Sequence, residues 1–66
     1  MNRIKIIKKN EIVIVIIAKQ EKNNKYSFVN LTIGHICPRE FDSIEEAILE
    51  LKILKQKGEI IDYEII

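Results

Sequence analysis

The sequence predicts a small α+β fold: a three-stranded antiparallel meander, one crossover helix and a fourth strand, in the order β-β-β-α-β, with the helix packed on one face of the sheet. Three observations predict it. Residues 3–33 divide into three alternating or β-branched stretches separated by short polar turns. Residues 43–58 place a helical apolar period between a serine and a glycine. The last eight residues alternate again.

The first strand covers 3–8. Ile4 and Ile6 share one face and Arg3 and Lys5 the other, with Ile7 breaking the pattern. Lys9 and Asn10 fit a tight hairpin turn, because asparagine tolerates positive φ. Residues 11–19 read Glu-Ile-Val-Ile-Val-Ile-Ile-Ala-Lys. β-Branched residues on both faces predict a central strand buried on both sides. The polar run 20–24 is the next turn. The third strand covers 25–33, with Val29, Leu31 and Ile33 on one face and Tyr26, Phe28, Asn30 and Thr32 on the other. Gly34 marks a bulge or bend, and Pro38 ends any central pairing.

Ser43-Ile44-Glu45-Glu46 matches the capping box, with Ser43 as N-cap and Glu46 reaching back. Acids fill the first turn, and Lys52, Lys55 and Lys57 gather toward the end, as the helix dipole favours. Gly58 suits the C′ position. Ile44, Ala47, Ile48, Leu51 and Leu54 form one apolar stripe. Leu49 and Ile53 fall on the opposite side, among Glu45, Glu46 and Gln56. The final strand covers 59–66, with Ile61, Tyr63 and Ile65 on one face. It is expected to run parallel to the first strand, beside it or beside the third, after a right-handed crossover.

The 66 residues and 7.8 kDa suit one small domain spanning 1–66. Apolar residues at 47% and charged residues at 32% separate the chain from disordered sequences. No apolar run reaches the ~18 residues of a helical membrane span, so no membrane partner is expected. A single cysteine excludes an internal disulfide framework. Chains this short bury a smaller share of their surface than larger domains do and often need a disulfide, a metal or a second subunit. Without a cysteine pair, the second subunit is the predicted staple.

Isoleucine supplies 16 residues, beside nine lysines and five asparagines. That bias suits an AT-rich genome, such as a low-GC bacterium or its phages, and carries the expectation of a phage or mobile-element protein. The N-terminus lacks the uninterrupted apolar core and small-residue cleavage site of a signal peptide, since Lys5, Lys8 and Lys9 break it. With the lone thiol, this predicts a cytoplasmic setting.

The net charge of +1 gives no global attraction to nucleic acid, but it is unevenly spread. Residues 1–25 hold seven Lys/Arg and two acids, and residues 26–66 hold four Lys/Arg and eight acids. Consecutive turns of a meander lie at opposite ends of the sheet. The basic residues Lys8 and Lys9 are therefore separated from Lys19, Lys22 and Lys25. Tyr26 and Phe28, two residues apart on one strand face, would suit a base-stacking platform beside these hairpins.

His35 and Cys37 would share a face of an extended segment, and Pro38 favours that geometry at Cys37. Two ligands leave a zinc site incomplete unless a two-fold dimer joins two pairs. Glu46 and Glu50 are four apart on the helix, where capping and a solvated surface account for them. Phosphate loops, nucleophile elbows and dinucleotide fingerprints are absent from the sequence. No enzyme activity, cofactor or metal is predicted.

The segment Phe41-Asp-Ser-Ile-Glu-Glu-Ala47 resembles the strand-to-helix junction of HicB-type antitoxins and of the arm-type DNA-binding domains of phage integrases. Both place a β-meander before a helix opened by Ser/Thr-x-x-Glu. The resemblance spans seven residues and implies the meander-to-helix architecture. These 66 residues hold neither a separate DNA-binding segment of the HicB kind nor the Arg/Trp-rich strands of the arm-type domains.

The resulting expectation is a small non-enzymatic binding or regulatory protein, of the antitoxin, regulator or phage-inhibitor type. It would act through protein–protein contacts as a homodimer. Leu49 and Ile53 are the candidate ridge for a protein partner. The alternative is a small nucleic-acid-binding module that uses the basic N-terminal hairpins with Tyr26 and Phe28.

Overall fold

A computed structural model of the chain describes residues 3–66. Met1 and Asn2, where the reading of the N-terminus as leaderless begins, lie outside the described residues. The elements are β1 (Arg3–Ile7), β2 (Ile12–Lys19), β3 (Tyr26–Asn30), β4 (His35–Ile36), α1 (Ile44–Gln56) and β5 (Asp62–Ile65). They form one five-stranded sheet in the order β4-β3-β2-β1-β5, every neighbouring pair antiparallel, with α1 against one face. The α+β class, the opening meander and the one-sided helix agree with the sequence.

Alternation sets the two sides of the sheet. Ile4 pairs with Val15 and Ile6 with Val13, so these four residues point the same way. Ile17 pairs with Phe28 on that side. All six are buried with Phe41, Ala47, Leu51 and Ile60 in the core beneath α1. Phe28 and Phe41 meet edge to face, their centroids 5.4 Å apart and their planes at 72°, a favoured aromatic geometry.

The helix is capped at both ends, by Ser43 and by Gly58, with only the Ser43 half of the expected capping box formed. The Ser43 Oγ accepts the Glu46 N–H at 3.2 Å. At the other end Gly58 adopts φ +78°, its N–H donating to the Lys55 carbonyl at 3.1 Å. The Glu59 N–H donates to the Leu54 carbonyl at 3.0 Å. This pair of bonds is the Schellman arrangement, which favours glycine at the left-handed position.

Several expectations are corrected. The third strand ends at Asn30 rather than Ile33. The Asn30 Oδ1 accepts the Thr32 and Ile33 N–H groups at 2.9 and 3.2 Å, folding Leu31–Gly34 into a turn that Gly34 completes at φ +68°. That turn returns the chain through β4, a two-residue strand beside β3. Beyond Pro38, Phe41 rejoins β3 opposite Tyr26.

This extra reversal changes the last strand. The helix starts near the opposite end of β3 from that expected for a three-stranded meander. Consequently β5 lies beside β1, one of the two expected positions, but runs antiparallel to it. The handedness rule for parallel crossovers does not apply to this connection. β5 is also shorter than expected, because the C-terminal cap of α1 and the buried Ile60 occupy the residues before it. Ile61 donates to the Ile7 carbonyl at 2.8 Å but is exposed outside the strand.

β2 is not buried on both sides. Val13, Val15 and Ile17 lie under the helix, whereas Ile14, Ile16 and Ala18 are half-buried and Ile12 is 53% exposed. One helix covers one face, so the second β-branched row remains open. Ile44, expected in the core stripe, is exposed at the first turn of α1.

Candidate protein-interaction surface

The sheet face opposite α1 carries apolar residues that no other element among the described residues covers. β2 contributes Ile12, Ile14 and Ile16 along its length. The register places Ile7 beside Ile12, Lys5 beside Ile14, and Arg3 beside Ile16. On the other flank Val29 pairs with Ile16, and Ile36 pairs with Val29. The result is the row Ile36–Val29–Ile16 across three strands, crossing the row of isoleucines that runs along β2.

Leu31 joins this surface through the turn. Its N–H donates to the Ile14 carbonyl at 2.8 Å, and the Ile14 N–H donates to the Thr32 Oγ1 at 3.0 Å. These bonds extend the β2–β3 ladder past the end of β3, with a side-chain hydroxyl in place of a carbonyl. Arg3, Ile14, Leu31 and Thr32 line a shallow depression there. Leu31 is 45% exposed and Ile36 is 62% exposed.

Charge is confined to the β1–β5 side of this face. Lys5 lies directly across from Glu64, and Ile7 across from Asp62. Arg3 accepts the Ile66 N–H on its carbonyl at 2.8 Å, carrying the pairing one residue past β5. Arg3 and Lys5 share this side with Glu64, while the Asp62 carboxylate is taken up by Lys55 of α1. The Asp62 carboxyl is held below the usual carboxylate range, first by the Lys55 Nζ donating at 3.0 Å and then by the Tyr63 N–H at 2.8 Å.

The residues singled out from the sequence are dispersed. Leu49 is exposed on the outer side of α1, and Ile53 is half-buried. Phe28 is in the core, and Tyr26 is half-buried against it. Their strand face lies beneath the helix, so the two rings do not present a common outward platform. His35 is exposed on β4, while Cys37 packs against the core with its N–H donating to the Phe28 carbonyl at 2.9 Å. Among the described residues no group of three or more His, Cys, Asp or Glu side chains is gathered as a metal site.

The acidic segment before α1 instead ties the sheet to the helix. Lys25 pairs with Asp42, Asn23 donates to Glu40 at 2.8 Å, and Arg39 meets Glu50 at 2.9 Å. The hydrogen bond to Asp42, and then its charge, raise the Lys25 pKa. These groups therefore have local structural partners. Both β-branched rows of β2 were legible in the sequence, though both as buried; the neighbours Leu31 and Ile36 required knowledge of the turn and β4.

No family model matches this chain, and comparison with curated proteins and solved structures likewise finds no match. No helix among the described residues is long and apolar enough to cross a membrane.

Proposed function

We propose that this chain is a small, non-enzymatic binding protein that acts through protein–protein contacts as a homodimer, in a cytoplasmic regulatory setting. The observation that carries this reading is the apolar sheet face opposite α1. Exposed and half-buried isoleucines on adjacent strands form one contiguous surface there, and surfaces of this kind mark interaction sites in folded proteins. The small size of the chain adds a second argument, because a partner subunit enlarges the core that a single helix and sheet can make.

The nucleic-acid alternative draws less support. A stacking platform needs rings free to receive bases, and Phe28 is 9% exposed. The charges on the open face are of mixed sign, Arg3 and Lys5 beside Glu64, rather than uniformly basic.

Sedimentation equilibrium at low micromolar concentration tests the proposal. The expected mass is twice the 7.8 kDa of the chain. A mass of one chain contradicts it.

A further inference from the structure

We infer that the second copy seats face to face on the open sheet, with the two-fold axis running along β2. This rests on the self-association proposed above and adds its geometry. Three features carry it: the order of the strands, the area of the face and the placement of its charges.

The sheet order β4-β3-β2-β1-β5 is centred on β2, which is also the longest strand at eight residues. The strands hold 5, 8, 5, 2 and 4 residues, which at ~4.8 Å spacing and ~3.3 Å per residue give a face of roughly 380 Å² in projection. Side-chain relief makes its accessible area larger. The projection is about half of the ~800 Å² that each partner contributes to a standard stable interface, so nearly the whole face is needed. A contact displaced toward either edge leaves part of that area unused, so a centred overlap is favoured.

Two axes in the plane of the interface give centred overlap. An axis across the strands places β1 over β1, so Lys5 approaches Lys5 and Glu64 approaches Glu64 of the other copy. An axis along β2 places β1 over β3 and β5 over β4. Lys5 then lays its aliphatic stem toward Leu31 of the second copy while its ammonium reaches toward Glu64, its cross-strand neighbour, as long cationic side chains do at apolar borders. Like charges are separated, because Arg3 and Lys5 of one copy lie over β3 of the other rather than over each other. Ile12, Ile14 and Ile16 each meet the same residue of the second copy. The strands remain within the ~30° typical of aligned sheet packing.

Cross-linking tests this geometry. Ile12→Cys and Ile16→Cys are made separately on a Cys37→Ser background and treated with a short bismaleimide, since face-packed sheets stand ~10 Å apart. Leu49→Cys on the same background reports the outer helix face. Circular dichroism checks each fold, and Ile12 is exposed enough for its replacement to leave the core untouched. The axis along β2 gives a covalent dimer with Ile12→Cys alone and with Ile16→Cys alone, and none with Leu49→Cys. Cross-linking only when Ile12→Cys and Ile16→Cys are mixed would place the axis across the strands and overturn the inference. A sedimenting dimer with no sheet-face product, or with a product at Leu49→Cys, also overturns it while leaving self-association standing. A chain that sediments as a monomer removes both.

Discussion

Tyr26 and Phe41 exchange two backbone hydrogen bonds, each 2.8 Å, across the start of β3 and the approach to α1. This bridge brings the chain back along the edge of the sheet before the helix begins. It places Phe41 against Phe28 in the core and, through the added reversal, makes β5 antiparallel to β1.

Phe41→Ala is therefore expected to be among the most damaging single changes. Removing a buried phenylalanine costs about 3–5 kcal/mol, comparable with the whole stability of many small domains. Phe41→Leu keeps most of the apolar volume and is expected to cost less. Urea unfolding monitored by circular dichroism gives the comparison; equal midpoints for Phe41→Ala and the unaltered chain would remove the ring from its anchoring role.

Leu49 and Ile53 are expected to respond differently, although both lie opposite the core stripe. Leu49→Lys should change stability by about 0.5 kcal/mol or less, as exposed substitutions commonly do. Ile53→Lys loses half-buried apolar area and should cost about 1–2 kcal/mol. Neither should change the sedimenting mass if self-association uses the sheet. Loss of the dimer in Leu49→Lys would move the interface to the helix.

Replacing His35 and Cys37 together by alanine is expected to lower the thermal midpoint by only a few degrees. His35 is exposed, and Cys37 contributes a small, half-buried side chain at the border of the core. Metal analysis of protein purified without added metal provides a second readout. Stoichiometric zinc that disappears in the double variant would assign these residues a ligand role across two copies.

Acid should weaken the link between Lys55 and Asp62. The Asp62 pKa is lowered in the folded chain, chiefly by the Lys55 hydrogen bond, so its contribution is present above the ordinary carboxylate range. It is lost as the pH falls through the lowered folded value. Asp62→Asn should therefore flatten the decline of unfolding free energy below about pH 4. Superimposable pH profiles for the two proteins would show that the link makes no net contribution.

The helix was the most legible element because its ends are specified locally. Ser43 and Gly58 perform capping tasks that depend on a few neighbouring atoms. β4 was hidden because a two-residue strand between Gly34 and Pro38 has no periodicity to read. Missing it led to the wrong direction for β5. The alternation of β2 revealed two apolar rows, but it could not say which one the helix would cover. The β1–β2 register and the position of α1 leave Ile12, Ile14 and Ile16 open. Phe28 was assignable to a face, yet its burial depended on Phe41, thirteen residues further along the chain.

The central claim is that the open sheet face holds two copies together, and Ile14→Glu tests it most directly. The new carboxylate faces Lys5 across the β1–β2 pair, a favourable cross-strand neighbour in a single copy. In a face-to-face dimer it is buried against its own counterpart, at a cost of several kcal/mol. Sedimentation equilibrium of the unaltered chain and Ile14→Glu, with circular dichroism on both, should give a dimer for the first, a monomer for the second and the same folded spectrum for each. A monomer for the unaltered chain, or a dimer that survives Ile14→Glu, would contradict the account.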